Sequence, residues 1–155
     1  MEIVYEKQEE KQSTGEYLAG IDLGLTNLVA LTSNLPGFVP VLINGRPLKS
    51  VNQLYNKTKA KLQAQLGEKH KSSKRIQSLT AYRNNYVDNY LHNTSRIIVT
   101  LLKAGDIGTL VIGKNDNWKQ SINIGKKNNQ SFTEIPYGRL IDQIIYKCQL
   151  AIVLV

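Results

Sequence analysis

Hydrophobic positions follow two different periods along this chain. Residues 17–22 (YLAGID), 27–33 (NLVALTS) and 38–43 (FVPVLI) are short aliphatic runs that each predict a strand. The turn signals Leu23-Gly24-Leu25-Thr26 and Asn34-Leu35-Pro36-Gly37 divide them. From Leu48 the spacing becomes helical, with Val51, Leu54, Tyr55, Thr58, Leu62 and Leu66 on one side and Gly67 as a natural stop. A longer helix is predicted over 73–103. Its broad stripe includes Ile76, Tyr82, Tyr86, Val87, Tyr90, Leu91, Ile98 and Leu102, which assigns the three tyrosines to the core rather than to a base-stacking ladder. Residues 109–112 (TLVI) predict an interior strand buried on both faces, and 113–131 a long loop. Pro136 opens a third helix carrying Tyr137, Leu140, Ile141, Ile144, Ile145 and Cys148, and 150–155 (LAIVLV) predicts a last buried strand.

Connections as short as those between the first three runs favour an antiparallel meander, because parallel neighbours need a crossover of about a dozen residues. Three meandering strands followed by helix–strand alternation describe an α/β domain, a mixed sheet flanked by helices in a ribonuclease H-like arrangement. Residues 1–16 read as an acidic leader or linker and 17–155 as the domain. A central strand at the end of the chain leaves no helix to cover one sheet face. The expectation is therefore a C-terminally truncated domain with exposed apolar side chains.

Charge adds a partner to this picture. The formal charge is +8, yet residues 1–16 hold five Glu against two Lys, so the rest of the chain carries +11. A basic body of this kind concentrates polyanions, of which nucleic acid is the commonest. The single cysteine, Cys148, excludes an internal disulfide and a Cys-only zinc site, and points to the cytoplasm. No run reaches the roughly 18 apolar residues that span a membrane, so no membrane is expected as a partner.

Asp22 is the sharpest candidate for chemistry. It closes an apolar strand beside Gly24, where a carboxylate can hold Mg²⁺ with waters still attached; the alternative is a turn-initiating Asp that caps its own backbone. Two-metal phosphodiester hydrolysis needs about three converging acids, and the place for a second, at the end of TLVI, is Gly113. Asp116, Asp106, Asp142 and Glu134 read as loop, turn, exposed-helix and lead-in residues. Lys114, Lys119, Lys126 and Lys127 surround Trp118 in the 113–131 loop, a pattern that can neutralise phosphates while the indole stacks on a base, or a solvated loop whose Trp packs inward. Lys57 and Lys61 on the first helix join these as candidate nucleic-acid contacts. His92 reads as a hydrogen-bonded packing residue, with His70 too distant to form a ligand pair.

These residues resemble the OrfB/TnpB transposon-encoded proteins related to type V CRISPR effectors. GIDLGLTNLVAL (20–31) is similar to that family's first RuvC motif, and PLKSVNQLYNKTKAKLQ (47–63) to its following helix. Asp88, His92 and Ser95 fit its D-x-x-x-H-x-x-S pattern, and residues 111–136 are similar to a variant subgroup whose second RuvC strand ends in Gly-Lys-Asn. The resemblance implies an RNA-guided, Mg²⁺- or Mn²⁺-dependent DNA endonuclease with DNA and a guide RNA as partners, in which Asp22 is one catalytic, metal-binding carboxylate. It also implies an N-terminal recognition region, a zinc ribbon and a final RuvC Asp that this chain lacks, and a Glu where Gly113 stands. The expectation is a fragment that does not cleave alone. A binding-only remnant is the alternative. GIDLGLTN further resembles the first phosphate motif of actin-like and heat-shock ATPases, a reading that needs a duplicated half for which 155 residues leave no room.

Overall fold

The computed structural model describes residues 15–66, 71–113, 134–151 and 153–155. Its strands are β1 (Tyr17–Leu23), β2 (Asn27–Ser33), β3 (Val41–Asn44) and β4 (Ile107–Ile112). Its helices are α1 (Arg46–Ala64), α2 (Lys74–Ala104) and α3 (Tyr137–Ala151). The four strands form one mixed sheet in the order β3-β2-β1-β4. The expected meander is present, since β1 pairs antiparallel with β2, and β2 with β3. After the two long helices the chain returns parallel to β1, with Ile21 opposite Ile112.

Local chemistry sets the element boundaries. Ser73 is extended, and its Oγ accepts the Ile76 N–H at 3.3 Å, an N-cap that starts α2 where the sequence predicts it. α1 begins two residues before Leu48 because Pro47 sits in its first turn and Asn44 Oδ1 accepts the Arg46 N–H at 2.9 Å. Gly45 is required there: a Cβ on it would lie 2.3 Å from the Leu25 carbonyl oxygen. That close approach ties the start of α1 to the β1–β2 turn, where Gly45 N–H also donates to Thr26 O at 2.8 Å.

One hydrophobic core lies between the helices and a single face of the sheet. Ala19, Ile21, Leu23, Val29, Leu31 and Leu110 point into it and meet Leu48, Leu91, Ile98, Leu102, Leu140 and Ile144. The opposite face carries Leu18, Asp22, Thr32, Leu42 and Val111, all exposed. The alternation of period two along each strand sorts the residues in this way.

Four expectations need correction. β4 is not buried on both faces, because Val111 is 58% exposed on the open side. No final strand starts at Leu150; α3 continues through Ala151, and beyond it a single parallel bridge joins Thr109 to Leu154. That bridge aligns Leu154 beside β4, through Leu110 N–H to Leu154 O and Leu154 N–H to Gly108 O. Leu154 and Val155 are exposed rather than buried. Tyr82 and Tyr86 are not core residues: they are 61% and 38% exposed. Among the described residues no helix is long and apolar enough to cross a membrane.

Candidate nucleic-acid site

Register explains the shape of the open face. One row across it runs Leu42, Ala30, Asp22, and a second runs Thr32, Gly20, Val111. The smallest side chains, Gly20 and Ala30, fall in the middle of these rows, while Leu42, Val111 and Pro40 stand at the sides. The result is a groove of about 370 Å³ that Asp22 and Gly113 both line.

Asp22 stands at the carboxyl end of β1, next to the carboxyl end of the parallel strand β4. Ligands of open α/β sheets bind in the crevice outside such strand ends. The turn beyond Asp22 closes without its side chain, because Gly24 N–H donates to Leu28 O at 3.3 Å. A Cβ on Gly24 would lie 2.9 Å from Asn27 O, so glycine is what lets the chain reverse so tightly. The Asp22 carboxylate is exposed and accepts no hydrogen bond from any described residue. This geometry argues against the backbone-capping alternative and leaves both carboxylate oxygens open to the groove.

Gly113 is Asp22's neighbour on the adjacent strand, where its N–H donates to Ile21 O at 3.4 Å. A Cβ there would meet only that oxygen, at 4.0 Å, so a side chain would fit. The position expected for a second acid thus lies beside Asp22 and bears none. Asp106 is a turn residue with φ of 47°, and Asp142 is an exposed helix residue. Glu134 is bound elsewhere: its Oε1 accepts from Asn56 Nδ2, and its carbonyl accepts from Arg83. Among the described residues no three His, Cys, Asp or Glu side chains converge on one point.

The turn after β1 and the end of β3 are each held by a tyrosine that the sequence reading placed only on apolar stripes. Tyr137, at the start of α3, donates its hydroxyl to Gly24 O at 3.0 Å, and Tyr90 on α2 donates to Asn44 O. Burial pushes the Tyr137 phenol far up, so it stays a donor across any working pH. Cys148, buried on the same helix, is pushed up to about 11 and is no nucleophile at neutral pH.

Asp88, His92 and Ser95 recur at helical spacing and line the seam between α2 and α3. Arg139 bonds Asp88, Gln143 lies 3.4 Å from Ser95 Oγ, and Lys147 Nζ donates to Ser95 Oγ at 2.6 Å and to His92 O at 2.8 Å. The His92 ring is exposed, with Nδ1 3.4 Å from Lys147 Nζ. The motif therefore zips two helices together rather than lining the groove. A matching basic residue on α3, Lys147, was the signal that sequence reading passed over.

Lys57 and Lys61 are exposed on α1, in the helical layer. They lie about 17 and 23 Å along the axis from the helix start. The structure does not bring them together with Asp22, which faces the other way. Lys114, Asp116, Trp118, Lys119, Lys126 and Lys127 lie outside the described residues, as does His70.

Comparison with known proteins gives this geometry a context. The described architecture is similar to Cas12f1 in a cryo-EM structure of a Cas12f1–sgRNA–target DNA complex, with a TM-score of 0.68 and 15% identity over 90% of this chain. It is also similar to a CRISPR-Cas12f ternary complex, with a TM-score of 0.70 and 17% identity over 97% of this chain. The chain spans 35% and 30% of those proteins, so the likeness is one of fold. No curated protein matches. The sequence model of the OrfB_IS605 family, described as "Probable transposase", matches residues 2–119. That match covers well over half of the chain, and the protein belongs to this transposase family.

Proposed function

We propose that this chain is the ribonuclease H-like, RuvC-type part of a TnpB-like transposon nuclease: a domain that grips nucleic acid and contributes Asp22 to a metal-dependent centre for phosphodiester cleavage. The observation that carries this reading is the placement of Asp22. A carboxylate with no hydrogen-bond partner among the described residues stands at a strand end, over a groove, beside a parallel strand whose end has room for a further group. No described side chain competes for its oxygens, so a cation entering the groove would displace only water from them.

Hard oxygen donors of this kind suit Mg²⁺ or Mn²⁺, which commonly take one or two carboxylates and complete their shell with water and substrate phosphates. Asp22 is the described residue that would hold such an ion. Bound there, the ion would polarise a phosphodiester and offset charge on the displaced oxygen. The chain's own residues set the stage: Gly20 and Ala30 leave a low floor between Leu42 and Val111 that a sugar–phosphate strand could enter, and Tyr137 fixes the turn that follows Asp22. One carboxylate is short of the roughly three that two-metal hydrolysis uses. The described residues are therefore assigned binding and one metal ligand, not a complete cleavage centre.

Family membership and the Cas12f-like fold support DNA as a partner, and the guide RNA of the Cas12f1 complex supports RNA as a second. The decisive experiment measures binding of labelled single-stranded DNA and any Mg²⁺- or Mn²⁺-dependent cleavage, for the wild-type chain and Asp22→Ala. Affinity should fall about tenfold or more between 50 and 200 mM salt if several phosphates are contacted. Whatever metal-dependent cleavage is seen should vanish in Asp22→Ala while binding persists. Salt-independent binding, no binding, or cleavage unchanged by Asp22→Ala would overturn the reading.

A further inference from the structure

The solvent face of α2 is a surface that neither the groove nor the core uses. At 100° per residue, Arg75, Tyr82, Tyr86, Asn89, Asn93 and Arg96 fall within one arc of about 80°. All six are exposed. The face carries no carboxylate: the one acidic residue of α2, Asp88, is turned to the α3 seam and bound by Arg139. Of the five basic residues on the helix, Arg83 is turned inward to Asn52 and Glu134. Arg75 and Arg96 mark the two ends of the face, about 30 Å apart.

Its aromatic residues are ordered. Tyr86 and Tyr90 stack with ring centroids 6.5 Å apart and planes 12° from parallel. Tyr90 is pinned by its hydroxyl bond to Asn44 O, so the stack is anchored at one end. Tyr82 continues the same row one turn earlier and is 61% exposed. Tyr90 packs against the core, but Tyr82 and Tyr86 expose their rings beyond it, and packing does not explain two neighbouring exposed aromatics. Asn93 Nδ2 donates to Asn89 Oδ1 at 3.2 Å, which leaves further amide groups facing outward.

We propose that this face of α2 is a track for single-stranded DNA, on which unpaired bases stack against Tyr82 and Tyr86 while Arg75 and Arg96 meet phosphates. Stacking rings and cations on one acid-free surface are the chemistry that recognises unpaired polynucleotide, since every base has a π-face and every linkage a charge. Duplex is a poorer fit because its bases are already stacked. DNA is chosen as the occupant because the family is one of transposases. The inference rests on the nucleic-acid reading above and uses residues remote from Asp22.

The test compares the full chain with the Tyr82→Ala/Tyr86→Ala and Tyr82→Phe/Tyr86→Phe double variants, and with Tyr82→Ala alone, by anisotropy of a labelled 12-nucleotide DNA. An abasic strand of the same length, the duplex and the matching RNA complete the set. Far-UV circular dichroism checks that each variant is folded. The double alanine variant should bind DNA about tenfold or more weakly, Tyr82→Ala a few-fold, and the phenylalanine pair close to wild type. The abasic strand should not distinguish the variants. Equal affinity of wild type and the folded alanine variants would overturn the track while leaving the nucleic-acid reading intact. No binding by wild type would overturn both. Tyrosine-dependent binding that favours RNA would overturn the assignment to DNA.

Discussion

The two faces of the sheet share four strands and a common register, and yet they are different materials. On one, Ala19, Ile21, Leu23, Val29, Leu31 and Leu110 are at most 5% exposed beneath three helices. On the other, Leu18, Leu42 and Val111 are 49–63% exposed among the described residues, and the central positions are Gly20, Ala30 and Asp22. The covered face is filled to specify a shape, whereas the open face is hollowed beside a carboxylate with no hydrogen-bond partner among the described residues. Packing and the proposed chemistry are thereby separated across the thickness of a single strand.

The largest test of that separation lies in the core. Leu91 and Leu102 are fully buried, so Leu91→Ala or Leu102→Ala should lower unfolding free energy by about 2–5 kcal/mol in urea titration. A loss below about 1 kcal/mol in either would break the contrast.

A pH-dependent test comes next. Cys148 rises from an ordinary 9.0 to about 11 in the folded chain, so the unfolded state gives up its proton first. Stability should therefore fall as pH climbs from about 9 to about 11, by an amount on the order of 2 kcal/mol from this thiol, and Tyr137 adds to the loss at the alkaline end. Cys148→Ala should flatten the thiol's share of that slope. An unchanged slope would mean that the covered layer admits water at α3.

The smallest effects belong to the open face. Leu42→Thr and Val111→Thr should each change stability by no more than about 0.5 kcal/mol, because the side chains already meet solvent. Away from the sheet, at the α2–α3 seam, Asp88→Ala removes a half-exposed ion pair and should cost under about 1 kcal/mol. A cost above 2 kcal/mol at Leu42 or Val111 would mean that the face is covered in solution.

Much of the covered face was legible in the sequence. Period-two runs and a long helical stripe identified three meandering strands, α2 and α3, because burying one side of each element imposes that spacing. Leu150 onwards was misread because LAIVLV is equally at home in a buried helix turn or a strand, and periodicity cannot separate them over six residues. Tyr82 and Tyr86 were misread for a different reason. Tyrosine counts as apolar in a stripe, but each lies one residue, or 100° of rotation, before Arg83 and Val87, which turn inward. In the candidate site, Asp22 was legible as a strand-end carboxylate beside Gly24. The groove was not, since it depends on Gly20 and Ala30 falling in adjacent rows, which only the inter-strand register reveals. The lysines around Trp118 lie outside the described residues.

The hydroxyl of Tyr137 and the carbonyl of Gly24 are 113 residues apart in sequence, and Ile21 meets Ile112 across about 90. Asp22 itself sits on a hairpin whose partner strand is only a few residues away. Contacts over such unequal distances do not arise together, because long loops must close before their contacts repay the entropy. The carboxylate is expected to be in place early in folding, on a local hairpin. Its neighbouring strand and the clamp on its turn arrive only when β4 and the start of α3 have reached β1. During synthesis, then, the proposed site would stay incomplete until α3 emerged, and the order of assembly would itself delay the proposed grip on nucleic acid.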